Sequence, residues 1–498
     1  MTRWLALSAL LVLAVPGAAQ AQEAGTSCAQ TRPDKAMADC LLGRAVALLG
    51  DPAMASKEAS TRDVLWDWVS QTAGATGNTE KLRASADRIT DPNQRRVALG
   101  RLGTHLAGTG DTRGAVAVLD AMLAEPLPPN ARQVDWGAVS ILAALDNPAR
   151  IKAYLESWPA ERRVNALLGL VRVYQESKRM DRAAALIKEF GAADSNAGVP
   201  IILHSRTALD FVKAGRLEAA RQTGRLLPDS DRLRMEARLA LKLFDQGKRD
   251  EAVKAMTALL AAAPRSTDAR LAASLMAART GDFAAMRARF PTALSYDQAL
   301  LDDLWALLAE AGQSDEARAL IATMNNGKDR IAASARMALL LAKDDPAGAA
   351  RFVADARAVI DPILADQHGA PQRLMDFGPA LRTLTEAHIA LGQRAEAAAL
   401  VALLEQRFAA DRYGLRRSRA TETLAMTNQV LLADRISRGD AAAVTAAVDP
   451  SWRALAARRA LLEAKRFKDA VTLAERENPD IAAKTGDILA VAQYIAKH

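Results

Sequence analysis

Gly247-Lys248-Arg249-Asp250-Glu251-Ala252 separates two apolar helical stretches, and its reading decides the fold. Glycine ends the first helix because it takes a left-handed cap without a Cβ penalty. Asp250 and Glu251 then sit where the next helix begins and complement its dipole. Ala252 is small enough for two helices to cross closely. Apolar residues follow at helical spacing through Met256, Leu259 and Leu260.

The same arrangement recurs outward in both directions. Gly110 is followed five positions on by Ala115, Lys178 by Ala183, and Gly215 by Ala220. Gly312 leads to Ala317, Gly392 to Ala397 and Lys465 to Ala470, with weaker copies at Gly77 to Leu82, Gly281 to Met286 and Gly439 to Val444. Asp146 and Asp344 mark two further turns. From 77 the anchors fall at 110, 146, 178, 215, 247, 281, 312 and 344, so each step stays between 31 and 37 residues. A fixed period in that range is the signature of a stacked helical array. Strand alternation is nearly absent, and Asn326-Gly327 lies between helical stretches and reads as a helix cap.

On these turns the chain resembles the tetratricopeptide repeat (TPR) family. Gly247 to Ala252, closing at Pro264, matches that family's Gly-x-x-x-x-Ala turn and terminal Pro. Gly312-Gln313-Ser314-Asp315-Glu316-Ala317 and Gly392-Gln393-Arg394-Ala395-Glu396-Ala397 carry the same turn. The resemblance is divergent: aromatic positions of the first helix are mostly aliphatic here. It implies an all-α superhelix, an α-solenoid of TPR-like antiparallel helix pairs, with room for roughly 12–14 of them.

The N-terminus reads as a secretory signal. Arg3 precedes an apolar run from Trp4 to Val15, and Ala19-Gln20-Ala21 forms a small-x-small site, so cleavage is expected after Ala21. The expected compartment is the periplasm. There, Cys28 and Cys40 are expected to form a structural disulfide. The expected organisation is a signal peptide (1–21), an arm and capping helix (22–61, the helix running from Asp34 to Leu49), and regular repeats (62–360). An irregular insertion (361–380), irregular repeats (381–478) and a second capping helix (479–498) complete it. No apolar stretch after the signal is long enough to span a membrane.

Two irregularities and two basic clusters stand out. Asp361 to Pro379 holds Pro362, His368, Gly369, Pro371 and Gly378, and reads as a long connection or a groove-lining loop. Glu125 to Asn130 reads as a stiff connector. Arg407, Arg412, Arg416, Arg417 and Arg419, with Tyr413 among them, form the first cluster. Arg453, Arg458, Arg459, Lys465, Arg466 and Lys468, beside Trp452, form the second. Arginine forks suit carboxylates and phosphates. Arg412, Tyr413, Arg416, Arg417 and Arg419 are therefore the candidate partner-binding residues, the alternative being a solvated helix face. Most of Trp66, Trp68, Trp136, Trp158 and Trp305 are expected in the core; Trp66 and Trp68, two apart, point to different faces, which leaves exposure and ligand stacking open for one of them.

Material for catalysis is scarce. The chain has 498 residues, five His, two Cys and 4% aromatics. The histidines lie in separate repeats with no metal-ligand spacing, and neither a nucleophile elbow nor a phosphate-binding glycine loop occurs. Asp302-Asp303 could be an acid pair, but charge at a helix start accounts for it better. No catalytic residue, metal or cofactor is expected. The reading is a periplasmic, non-catalytic interaction scaffold for a protein or peptide partner in the cell envelope. Envelope assembly, secretion and surface-structure biogenesis are its natural settings. Nucleic acid is not an expected partner, whereas peripheral contact with anionic envelope components is open to the basic faces at a net charge of +8. A helical polysaccharide-processing or murein-associated enzyme and a structural spacer are the alternatives.

Overall fold

A computed structural model describes residues 28–32, 34–125, 134–190, 201–292, 296–366, 374–409, 417–446, 451–475 and 480–498. Among them every regular element is a helix. The signal region, the Pro126 to Asn130 connector, His368, Arg412, Tyr413 and Arg416 lie outside the described residues.

The turns form as their chemistry requires. Every anchor except Asp344 takes a positive φ, from Gly77 at 82° through Gly247 at 79° to Lys465 at 56°. At Gly247 the cap closes with two backbone bonds: Gly247 N–H donates to Phe244 O and Lys248 N–H to Leu243 O, each at 3.0 Å. The same pair of bonds recurs at Gly215, Gly312, Gly392 and Lys465. Such a cap satisfies carbonyls that a helix end would otherwise leave bare. The turn at Asp344 differs because its helix ends in the right-handed region at Ala342, and Asp345 both bonds back to Leu341 and caps the next helix at Gly348. Five residues past each strong anchor, Ala115, Ala183, Ala220, Ala252, Ala317, Ala397 and Ala470 are fully buried, so a larger side chain there would hold the helices apart.

These turns build an array of helix pairs. The first helices of the pairs are Ala59–Thr76, Pro92–Gly108, Trp136–Leu145, Ala160–Glu176, Ile201–Lys213, Asp229–Asp245, Thr267–Arg279, Gln298–Glu310, Gly327–Leu341, Gly378–Ala390, Arg417–Ser437, Ser451–Glu463 and Ile481–Lys497. Each packs on the next along the whole list. The second helices touch their like neighbours only sparsely, so they fan outward and the first helices form the inner course. Packing stays continuous through the segment where the sequence spacing becomes irregular. The helix Pro346–Ala365 runs past Asp361 and contains Pro362 in its last turns, so the expected insertion begins as helix and not as loop.

The two ends of the array meet. Lys35–Leu49, which Asp34 caps through its bond from the Ala36 amide, packs along Ile481–Lys497 as a second helix packs on its own first helix. Ile481–Lys497 packs in turn on Ala59–Thr76, the first member of the inner course. The expectation of capping helices at two separate ends therefore gives way to a single seam. The N-terminal helix supplies the outer half of the last pair, and the solenoid closes on itself. An amphipathic terminal helix that would face water in an open array buries Ile488, Leu489, Val491, Ala492 and Ile495 here, against Met37, Leu41 and Leu42.

Polar contacts cross the seam. Arg44 lies 3.4 Å from Glu475, which also accepts a bond from the Cys28 amide. Lys57 reaches Asp480 at 3.3 Å, and Gln493 donates to Gln71 at 2.9 Å. Cys28 and Cys40 form a disulfide with a Cα–Cα distance of 5.9 Å. It fastens the short 3-10 turn Cys28–Gln30 to the N-terminal helix, and that turn packs against Phe467–Glu475 from the other end of the chain.

Candidate functional site

The inner helices are tied to one another by arginine–carboxylate pairs one repeat apart. Arg101 pairs with Asp67, Arg172 with Asp210 at 2.6 Å, Arg234 with Asp268 at 3.2 Å, and Arg279 with Asp245. Arg459 pairs with Glu422 at 2.7 Å and Arg458 with Asp487. At partial exposure each contributes roughly 0.2–1 kcal/mol, so their larger effect is on register between neighbours. The ladder takes Arg458 and Arg459 of the second basic cluster; Arg453 bonds Glu405 on the helix Arg394–Ala409 at 2.9 Å, and Arg466 pairs with Asp469 three residues on. Those arginines serve the fold, and the anionic-patch reading of that cluster gives way to this one. In the first cluster, Arg407 donates to the Leu364 carbonyl. Arg417 and Arg419 lie on the helix Arg417–Ser437, with side chains outside the described set. The side chain of Trp452 is likewise outside it.

Among the described residues, two of the clefts lie on the inner course. The larger, about 430 Å³, lies between Ile201–Lys213, Asp229–Asp245, Thr267–Arg279 and Gln298–Glu310. Thr267–Arg279 is buried almost all round and brings only Arg279, at its end, to the cleft lining. Arg238 spans that gap to Asp297, the N-cap of Gln298–Glu310. Burial opposes the ionisation of Asp297, but the Arg238 guanidinium and the Leu300 amide outweigh it and hold the carboxyl below its usual range. Asp268, outside the cleft lining, goes the other way: burial raises it despite Arg234. Val212, Leu241 and Leu300 give the cleft aliphatic walls, while Lys213, Lys242 and Asp303 bring charge to it. Asp303 thus lies in the cleft lining, a full turn inside a helix that starts at Gln298, while its neighbour Asp302 accepts a bond from Gln298 at 3.0 Å. The expectation that this pair opens the helix is corrected: Asp297 does.

The smaller cleft, about 350 Å³, lies between Gly378–Ala390, Arg417–Ser437 and the end of Ser451–Glu463. Glu386, Asp434 and Glu463 make it the more acidic of the two. Arg394 bonds Asp434 at 3.0 Å and, with Arg438, holds that carboxyl below its ordinary range.

The remaining chemically notable side chains are occupied separately. His105 Nε2 is hydrogen-bonded to Thr79 at 2.8 Å, and His388 Nδ1 to Gln393 at 2.8 Å, with burial lowering the His388 pKa. His498 stacks on Tyr494. Trp305 is fully buried, and Trp66, Trp68, Trp136 and Trp158 pack against the core, which opposes a stacking role for them. No group of His, Cys, Asp and Glu among the described residues could hold a metal ion. No helix among them is long and apolar enough to cross a membrane.

No family model matches the chain, and no curated protein matches it. Among solved structures it is similar to one described as "Circular tandem repeat protein with novel repeat topology and enhanced subunit contact surfaces". The identity is 11%, 93% of this chain and 89% of that chain are covered, and the TM-score is 0.15. Ring closure here follows from the packing of the terminal helices. The chain is a helical repeat protein of the α-solenoid class.

Proposed function

We propose that this protein is a non-catalytic interaction scaffold of the cell envelope, a divergent relative of the tetratricopeptide repeats that holds a polypeptide partner along its inner course. The observation that carries this reading is the pair of inner clefts. Each combines aliphatic wall with charged rim, the composition that recognises extended peptide through side-chain pockets. Export by a signal ending at Ala21 and a disulfide at Cys28–Cys40 agree with a periplasmic setting. The separation of the histidines among the described residues favours binding over chemistry.

Affinity capture of the processed protein from its own periplasm, read by mass spectrometry, tests this. Reproducible recovery of an envelope polypeptide is expected, and recovery of none would count against the scaffold. Arg412, Tyr413, Arg416, Arg417 and Arg419 are proposed as a second contact. Charge reversal at Arg416 and Arg417 is expected to weaken capture, and undiminished capture would remove that contact from the proposal.

A further inference from the structure

The lining of the larger cleft carries two opposite charges that no described residue answers. Its other charges are spent: Arg279 on Asp245, the outer nitrogen of Arg238 on Asp297, and Lys213 on Asp210 at 3.8 Å. The side chain of Lys242, half-buried on Asp229–Asp245, makes no hydrogen bond or ion pair among the described residues. The same holds for Asp303, exposed on Gln298–Glu310. Both line one opening from helices two apart in the inner course, yet they do not pair with each other. Arg238 stands one helical turn from Lys242 on the same face, and its Nε is buried with no acceptor. A buried donor without an acceptor is costly, so this corner favours an anion. Aliphatic side chains complete the cleft, with Leu209 half-buried, Ala299 exposed, and Val212, Leu241 and Leu300 buried.

We propose that this cleft binds a small zwitterionic solute, a free aliphatic α-amino acid, with its carboxylate at Lys242 and the Arg238 Nε, its ammonium at Asp303 and its side chain on the aliphatic lining. The proposal goes beyond the scaffold reading, which retains the smaller cleft and the rest of the inner course, and does not depend on it. The charges select the class of ligand. A simple anion would satisfy Lys242 and Arg238 but leave Asp303 unanswered and repelling it. A simple cation would reverse the fault. Only a ligand with both signs satisfies all three groups. The volume selects the size: about 430 Å³ is near the lower limit for a ligand pocket. A free aliphatic amino acid fits both conditions, because its two charges and its apolar group sit on one α-carbon. A polypeptide end does not, because each terminus carries one of the two charges and an uncharged amide in place of the other. The site therefore separates a free solute from a chain. The two ends of the ligand are held unequally. Its carboxylate meets a half-buried corner, whereas its ammonium meets an exposed carboxylate, where water and salt weaken the attraction.

The test uses the full processed chain and three probes: L-leucine, leucinamide, which lacks the carboxylate, and N-acetyl-leucine, which lacks the ammonium and mimics the end of a chain. Binding is read by calorimetry and by saturation-transfer NMR. Leucine is expected to bind at least about ten-fold more tightly than leucinamide and about three-fold more tightly than N-acetyl-leucine. In Lys242→Ala the preference for leucine over leucinamide should largely vanish. In Asp303→Asn the preference over N-acetyl-leucine should vanish while that over leucinamide remains. Because neither side chain has a partner among the described residues, both variants should keep the circular dichroism and Tm of the parent. Leucinamide binding as well as leucine would overturn the proposal. N-acetyl-leucine binding as well as leucine would do the same, since the cleft would then read a chain end and not a free amino acid. Undiminished leucine binding in Lys242→Ala, or no leucine binding by the parent at millimolar concentration, would also overturn it.

Discussion

At the scale of single residues, Asp146 concentrates several of the forces that hold neighbouring repeats together. It occupies a left-handed turn position at φ 47° where most other repeats place glycine. Its carboxylate accepts from Tyr174 at 2.6 Å, from Arg182 at 2.8 Å and from Arg179. Burial pushes its pKa up, but these three partners prevail and the pKa falls below the ordinary value, while burial and Asp146 push Tyr174 up to about 12. Asn tolerates the same backbone, so Asp146→Asn removes charge with little strain. The expected loss at pH 7 is roughly 1–3 kcal/mol. The folded pKa is depressed, so this stabilisation is fully present above the unfolded value of about 3.9 and fades as pH falls through the folded one. Calorimetric melting at pH 7 and at about pH 3 should show the gap between wild type and variant shrinking. A gap equally wide at both would contradict the electrostatic account. A second residue-scale constraint lies between Gly100 and Gly137. A Cβ on Gly100 would come within 2.3 Å of Gly137 Cα, and one on Gly137 within 2.3 Å of the Arg96 carbonyl. The obstacles are backbone atoms, which cannot swing aside. Gly100→Ala should destabilise by at least the roughly 1–3 kcal/mol typical of overpacking, read as a lowered Tm; an unchanged Tm would mean that this crossing is looser than described.

At the scale of elements, the seam decides behaviour. Among the described residues, the helix Lys35–Leu49 is the only outer helix whose inner partner comes from the far end of the chain. Its attachment is reinforced by the Cys28–Cys40 bridge, which holds the Cys28–Gln30 turn where the Cys28 amide meets Glu475. Closing a loop of this length contributes about 3 kcal/mol in the chain-entropy model. In Cys40→Ser, hydrogen exchange should accelerate first in Lys35–Leu49 and Ile481–Lys497, leaving helices such as Asp229–Asp245 near their original rates. Uniform acceleration throughout the ring would refute a local role for the bridge. The spacing of Cys28 and Cys40 made the pair itself legible in sequence. What the bridge reinforces was not, because the apolar pattern of the N-terminal helix looks the same whether it caps an end or completes a distant pair.

At the scale of the whole molecule, closure removes the frayed ends that limit an open solenoid, whose stability is a sum over nearest-neighbour contacts. Each inner helix has a neighbour on both sides. Cys28 lies beside Glu475, at one end of Phe467–Glu475. His498 stacks on Tyr494, which packs near Phe467 at the other end. The helix between is about 12 Å long at 1.5 Å per residue. A linker of about eight residues should therefore join His498 to Cys28. A permuted chain opened instead at the exposed Gly247 turn is expected to keep its helicity and a Tm within a few degrees of the parent. Its small-angle scattering profile should also match. Failure of the permutant to fold with the linker in place would argue against the ring.

What the sequence determined by itself was whatever depends on near neighbours along the chain. A glycine that must turn left, an acid that caps the next helix and an alanine five positions on are settled within one turn. The helix pairs and their period could be read from them directly. The Arg-carboxylate ladder was half visible: its partners recur about one period apart, as Arg101 with Asp67 and Arg234 with Asp268 do at 34 residues. Which basic residues face a neighbouring acid depends on the rotation of each helix in the stack, so a binding face stayed open for Arg453, Arg458 and Arg459 beside the favoured reading of neighbour pairing. Only the tertiary structure decided that the two ends join and that a cleft opens between Asp229–Asp245 and Gln298–Glu310. Both result from small angular steps summed over the array, and no local stretch encodes that sum.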